Sequence, residues 1–179
     1  MYTFYKFHPI CIIPIYKIKC LNNKFNSFFP NQWQLILMNE GSLTKSLSNL
    51  TSKIIQTNLL QKEYKKYQVV KRNIRCVWLE TSIYTKLIFA RSLWILIYNN
   101  KIYKIINTNK PIGFSLIENK IDTYKQIHEI YYGYCQKLEK NFTLKTAIWG
   151  RKYTLHYSNK SSTIIQEFFS PYIKKFFTK

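Results

Sequence analysis

Carboxylates, glycine, alanine and arginine are all in short supply in this chain, and each shortage says something. Eight Asp and Glu stand against 28 Lys and Arg, a formal net charge of +20 at pH 7. The four cysteines, Cys11, Cys20, Cys76 and Cys135, show no C-x-x-C spacing and no neighbouring His pair, which argues against a zinc site or a dithiol redox motif; no metal is expected. Buried free thiols in a reducing compartment are the default. His8, His128 and His156 are dispersed and have no nucleophile beside them, so neither a Ser-His nor a Cys-His arrangement is indicated. The longest apolar run, Leu87 to Tyr98, is broken by Arg91 and falls short of the ~20 residues that a bilayer span needs. Met1 to Leu21 lacks a small-residue cleavage site, and its apolar run is short and broken by proline, unlike a secretory signal. A soluble intracellular protein is the expectation.

What is present is a chain that folds. Hydrophobic residues make up 46% and aromatic residues 17%, far from the composition of a disordered segment, and 179 residues suffice for one domain with its own core. A charge of +20 ordinarily points to nucleic acid or an anionic membrane. Here the lysines are scattered from Lys6 to Lys179 without a dense block, and two alanines and four glycines are what AT-rich coding produces, so base composition is the plainer source of the charge. The same bias makes arginine informative. Only Arg72, Arg75, Arg91 and Arg151 are arginine. Lysine serves wherever a surface charge is enough, whereas a planar fork for a carboxylate needs arginine, so these four are candidate anion ligands.

Along the chain, residues 1–29 show no clear period and read as an irregular amino-terminal arm, followed by a single domain over 30–179. "NQWQLILM" (31–38) suits a short helix with Gly41 as its terminator, and Ser42 is placed to cap a second helix, "LTKSLSNL", whose Leu43, Leu47 and Leu50 recur at helical spacing. Six strands follow at 54–60, 74–81, 86–95, 124–135, 148–157 and 163–169, rich in Ile, Val, Tyr, Phe and Trp. The last two flank "SNKSS" and predict an antiparallel hairpin. Between the third and fourth, "NNKIYKIINTNKPIGFSLIENK" reads as a helical segment, a Pro-Gly turn and a second short helical or irregular piece. Helices around one six-stranded antiparallel sheet make an α+β fold.

One acid stands out against this background. In "STIIQEFFSP" Glu167 interrupts an apolar strand and alternates with Ile165 and Phe169. Arg75 alternates likewise with Val77 and Leu79, Arg91 with Phe89 and Leu93, and Arg151 with Trp149, Tyr153 and Leu155. Charges aligned with apolar neighbours must offset one another or serve a ligand, because a lone buried charge is too costly to persist. A buried pair of Glu167 with one arginine satisfies the pattern. So does a pocket for a small dianion, whose countercharge three arginines and one acid leave missing.

The ordered series "WQLILMNEGSLTKSL", "IRCVWLE", "LIFARSLWI", "KPIG", "WGRKYTL" and "IIQEFFSP" resembles the chorismate lyase (chorismate pyruvate-lyase) family, and within it the branch that includes proteins encoded in algal plastid genomes. The similarity runs from about Trp33 to Pro171. It implies a six-stranded antiparallel sheet with surrounding helices, a site under helical flaps, and elimination of pyruvate from chorismate to leave 4-hydroxybenzoate without metal or organic cofactor. On this resemblance Arg75 clamps a substrate carboxylate, Glu167 is the essential acid, Leu43 and Ile112 supply main-chain amide contacts, and Arg91 and Arg151 lie in or just behind the pocket. The chain departs from the bacterial enzymes at Gly41, where they carry an acid before the serine. The implied partner is an anionic small molecule, chorismate or its aromatic acid product, with no membrane, no specific nucleic acid, and the plastid stroma as location.

Two other classes compete. A non-catalytic binder of a small aromatic acid uses the same fold as a sensor domain, but it needs the clamp and has no need of a proton-transfer acid. Nucleic-acid binding draws on the charge and on lysines interleaved with aromatics in "FHPICIIPIYKIK", yet no recognisable module is present.

Overall fold

The structure, a computed structural model, describes residues 6–20, 29–67, 70–81, 83, 85–97, 110–157 and 162–177. Its centre is one antiparallel sheet of seven strands: β1 (His8–Pro14), β2 (Ile55–Tyr67), β3 (Val70–Thr81), β4 (Lys86–Ile97), β5 (Thr123–Tyr134), β6 (Ile148–Tyr157) and β7 (Ser162–Phe169). Their order across the sheet is β1-β5-β6-β7-β4-β3-β2. Among the described residues five helices accompany it: α1 (Ile15–Cys20), α2 (Asn31–Leu37), α3 (Leu43–Thr51), α4 (Ile112–Glu118) and α5 (Gln136–Phe142), with a 3-10 helix over Pro171–Phe177.

Both faces of the sheet are covered, which is why β6 is buried at almost every position instead of alternating with solvent. On one face, Trp33 and Leu37 of α2 and Leu43 and Leu47 of α3 pack on Val77, Leu79, Trp149 and Phe169. On the same face but towards the other end of the strands, Leu116 of α4 joins Trp94, Ile127, Tyr153, Leu155 and Ile165. The opposite face holds Leu138 and Phe142 of α5 against Trp78, Phe89, Tyr131 and Phe168. Each large side chain so covered contributes roughly 1.5–3 kcal/mol relative to exposure.

The α+β class is as the sequence predicts; the strand count is not. The seventh strand is β1, within the stretch read as an irregular arm, and it pairs with β5 from His8↔Tyr134 to Pro14↔Glu129. Prolines at its second and last positions are why it does not read as a strand, and also why it lies at the sheet edge, where missing N–H groups cost no ladder bonds. The rest of that stretch beyond Cys20, up to Asn26 and its neighbours, lies outside the described residues, as do the turn after Tyr157 and the helical segment expected before Lys110. Gly41 does not terminate α2. That helix closes at Met38, with φ −93° and ψ 2°, and no glycine among those described has positive φ. "KPIG" is the entry to α4 rather than a turn, with Pro111 at the N-cap position, where a fixed φ suits a helix start. α5 is short, has no side-chain N-cap, and was not legible in "QKLEKNF".

Candidate active site

Between the two clusters of the first face lies a cavity of about 200 Å³. Its floor is six neighbouring strands: Thr57 on β2, Arg75, Val77 and Leu79 on β3, Ala90 and Ser92 on β4, Ile165 and Glu167 on β7, Tyr153 and Leu155 on β6, and Thr123 and Lys125 on β5. Its roof is the starts of α3 and α4, including Ser42, Leu43, Ile112 and Gly113. The two helix starts adjoin, since a Cβ built on Gly113 would lie 3.9 Å from Ser42 Oγ. Ser42 caps α3 as its sequence suggests, its Oγ accepting from the Lys45 N–H at 3.4 Å. First-turn N–H groups such as those of Leu43 and Ile112 have no acceptor within their own helix and are therefore available to an anion in the cavity.

Glu167 lies at the middle of the floor, 5% exposed, with Ala90 and Arg151 as its cross-strand neighbours. Its Oε2 accepts from Arg151 Nε at 2.8 Å and its Oε1 accepts from the Tyr153 hydroxyl at 2.9 Å. Burial, and then the Glu167 charge, push the Tyr153 hydroxyl well above its usual range, so it is a donor to the carboxylate. Arg151 is fully buried and stands behind the floor. Its Nη1 donates to the carbonyls of Ile36, Leu37 and Asn39 at 3.1, 3.0 and 2.9 Å, taking the carbonyls at and just beyond the end of α2. Here is the real cap of α2: a guanidinium from β6 does what a glycine would otherwise do. Rings of Tyr153 and Phe169 lie 5.1 and 5.7 Å from its guanidinium carbon.

Arg75 is 2% exposed and reaches the cavity with only a main-chain partner, donating from Nη2 to the Lys110 carbonyl at 3.0 Å. Its Nε is buried without an acceptor, and among the described residues no carboxylate pairs with it. Desolvation lowers its pKa from the usual arginine value. A buried guanidinium with unused donors is a binding group awaiting an anion.

Four of the residues singled out from sequence therefore line one cavity: Arg75, Glu167, Leu43 and Ile112. Arg151 lies just behind it. Arg91 does not belong there. It is paired across the strands with Cys76 and Gln166, which puts it on the opposite face, where its Nη2 donates to Gln166 Oε1. The alternation with Phe89 and Leu93 misleads because that face is apolar too, under α5. The sequence does not single out two further groups at the cavity: Tyr153, which alternates as one more apolar neighbour of Arg151, and Lys125, on β5, one lysine among 24. Lys125 Nζ donates to the carbonyls of Gly41 and Asn39 at 2.8 and 3.2 Å and lies 5.0 Å from the Tyr153 ring centroid. Burial first, then Arg151, lower its pKa from 10.5 to about 8, against opposing effects of Glu167 and Glu40. Among the described residues no group of His, Cys, Asp or Glu side chains could hold a metal ion.

An open antiparallel sheet carrying a buried Arg and Glu under two helix starts defines the class, an α+β protein with a cavity between its sheet and its helices. Comparison with known proteins makes it specific: the family model described as chorismate pyruvate-lyase Rv2949c-like matches residues 37–177, and the chain belongs to that family. Relatives share most of its length. A protein of Antithamnion sp. with the name "Uncharacterized protein ycf21" is 45% identical over 165 residues, covering 91% of this chain and 92% of its own. Proteins of the same name from Porphyra purpurea and Cyanophora paradoxa are 38% and 33% identical, covering 84% and 79% of this chain and 87% and 78% of their own.

Proposed function

We propose that the chain is a chorismate pyruvate-lyase, eliminating pyruvate from chorismate to give 4-hydroxybenzoate. The observation that carries this reading is Glu167, a carboxylate held by Arg151 and Tyr153 at the centre of a cavity that also contains Arg75, which no carboxylate among the described residues pairs with. A binder of aromatic acids needs Arg75; nothing in binding calls for an acid beside the ring. Family membership supports the same reaction class.

Arg75 takes a substrate carboxylate with its free donors, aided by main-chain N–H groups at Leu43 and Ile112. Apolar walls from Val77, Leu79, Leu116 and Ile165 exclude water from the ring and strengthen that contact. Aromatisation then requires that the ring carbon bearing the hydroxyl lose its proton as the carbon–oxygen bond to the enolpyruvyl group breaks. The departing group gains a proton at its methylene carbon and becomes pyruvate, so protons balance over the cycle. Glu167 accepts the first and relays the second, a role typically worth ~10²–10⁴ in rate. Tyr153 orients the carboxylate through Oε1. The algal relatives and the resemblance to plastid-encoded proteins support a plastid location.

The test is purified protein in molar excess over chorismate, with 4-hydroxybenzoate and pyruvate followed by chromatography. Equal amounts of both products from the native chain, lost in Arg75→Ala and in Glu167→Gln, are expected; Glu167→Gln should still bind 4-hydroxybenzoate. No product, together with saturable binding of an aromatic acid that needs Arg75, would overturn the lyase reading in favour of a binding module.

A further inference from the structure

We infer that Lys125 is the second cation of the site, taking the second carboxylate of a dianionic ligand and so distinguishing dicarboxylates from the monocarboxylate product. The inference rests on the proposed reaction only for the identity of the natural ligand. Its basis is a count of charges. Arg75, Arg91 and Arg151 invite the expectation that two or three meet the ligand, but Arg91 is on the far face, and Arg151, with Nε and Nη1 given to Glu167 and three carbonyls and Nη2 left without a partner, stands behind the floor and does not line the cavity. That leaves Arg75 as the arginine that lines the cavity, and one guanidinium matches one carboxylate.

Lys125 supplies what is missing. It lies on β5 and Arg75 on β3, on either side of Glu167 on β7, each two strands away in the sheet order. Strands are about 4.8 Å apart, so the two side chains start about 10 Å across the sheet on either side of β7, and the register sets Arg75 level with Ile165 and Lys125 level with Thr163, both on the same side of Glu167 along the strand. The ammonium is close to Glu167, since the Asn39 carbonyl accepts from both Lys125 Nζ and Arg151 Nη1. Its two carbonyl acceptors satisfy two of three donors and neutralise none of its charge, which leaves a donor and a positive charge for a ligand. Arg75, Arg151 and Lys125 against Glu167 leave two positive charges around the cavity; Glu40, at the rim, is exposed and its charge is screened by solvent.

The charge state of Lys125 gives the inference a signature of its own. The groups that face it are Glu40 from the segment before α3, Arg151 and Tyr153 from β6, and Glu167 from β7; burial first, then Arg151, lower its pKa to about 8 against the opposing pull of Glu167 and Glu40. A carboxylate bound there favours the ammonium, so at pH 8.5, where a group of pKa about 8 is already about one quarter protonated, a dicarboxylate should bind with uptake of about 0.5 to 0.75 proton. A monocarboxylate should take up almost none.

The experiment is calorimetry with 3-(carboxymethoxy)benzoate, an inert aromatic dicarboxylate, and 3-methoxybenzoate, its monocarboxylate counterpart, in buffers of differing ionisation enthalpy. The native chain should prefer the dicarboxylate by about 30-fold. Lys125→Met should abolish the preference and the proton uptake while holding 3-methoxybenzoate within about threefold, and Lys125→Arg should restore the preference. If Lys125→Met keeps the preference, or loses both ligands equally, Lys125 only pins the segment before α3 and the inference is wrong. Chorismate turnover is scored separately: a Lys125-dependent preference in a chain that makes no 4-hydroxybenzoate would sink the lyase reading and leave the role of Lys125 standing.

Discussion

Arg151 and Glu167 are each tolerable in the interior only because the other is there. Removing the guanidinium leaves a buried carboxylate without a cation and three carbonyls without a donor, so Arg151→Met should lower the free energy of unfolding by about 3–5 kcal/mol. Adding Glu167→Gln to that variant should recover about 1 kcal/mol or more, measured by denaturant unfolding of the two single variants and the double. A flat, additive cycle would mean that the two side chains do not support each other. Lys125 predicts a pH effect of definite sign. Its pKa in the folded chain is about 8 against 10.5 for the free side chain, so between those values the unfolded chain binds more protons and stability rises with pH. The cost of holding the ammonium is fully present below about pH 8 and is relieved as the pH climbs towards 10.5. The difference in melting temperature between the native chain and Lys125→Met should therefore move in favour of the native chain over that window, and not below it. At this scale the sequence was half legible: Glu167 and Arg75 announce themselves as charges in apolar alternation, whereas the same pattern at Arg91 is ambiguous when both sheet faces are covered.

Among the elements, the start of β1 lies in close main-chain approach to a glycine of β5. At Gly133 a Cβ would meet the His8 carbonyl oxygen at 2.3 Å and Pro9 Cα at 2.8 Å, both main-chain atoms that cannot swing aside. Gly133→Ala should therefore lift the first part of β1 from β5. Limited proteolysis should then cleave within residues 6–14 at protease levels that leave the native chain intact, while the rest of the sheet persists in circular dichroism. Equal resistance of variant and native chain would show that β5 can shift to make room. The strands were readable because β-branched and aromatic residues cluster in them. β1 and the end of α2 were not, for different reasons: prolines mask an edge strand, and the cap of α2 comes from a side chain 112 to 115 residues further on, beyond any local pattern.

For the molecule as a whole, the surplus of +20 is spread over lysines and acts at a distance rather than through contacts. A field of that sign draws a small dianion inwards and is screened over about 10 Å at 0.1 M salt. Association rates of an aromatic dicarboxylate, followed by stopped-flow, should fall about tenfold or more between ~10 mM and ~500 mM salt, with dissociation changing far less. A rate independent of salt would place the useful charge entirely within the cavity. No helix among the described residues is long and apolar enough to cross a membrane, and the apolar run that starts at Leu87 falls in β4. The α+β class could be read from the order of helices and strands, but the cavity could not, because it lies between two core clusters that only the packing of α3 and α4 separates.

The grip of Arg151 also bears on how such a gene drifts. One G-to-A transition turns an AGA codon into AAA, so arginine is steadily exchanged for lysine wherever the exchange is harmless. At position 151 the new ammonium would have to hold a carboxylate and three carbonyls with three protons and no planar fork. Lysine, adequate for a surface charge, is therefore a poor replacement at position 151.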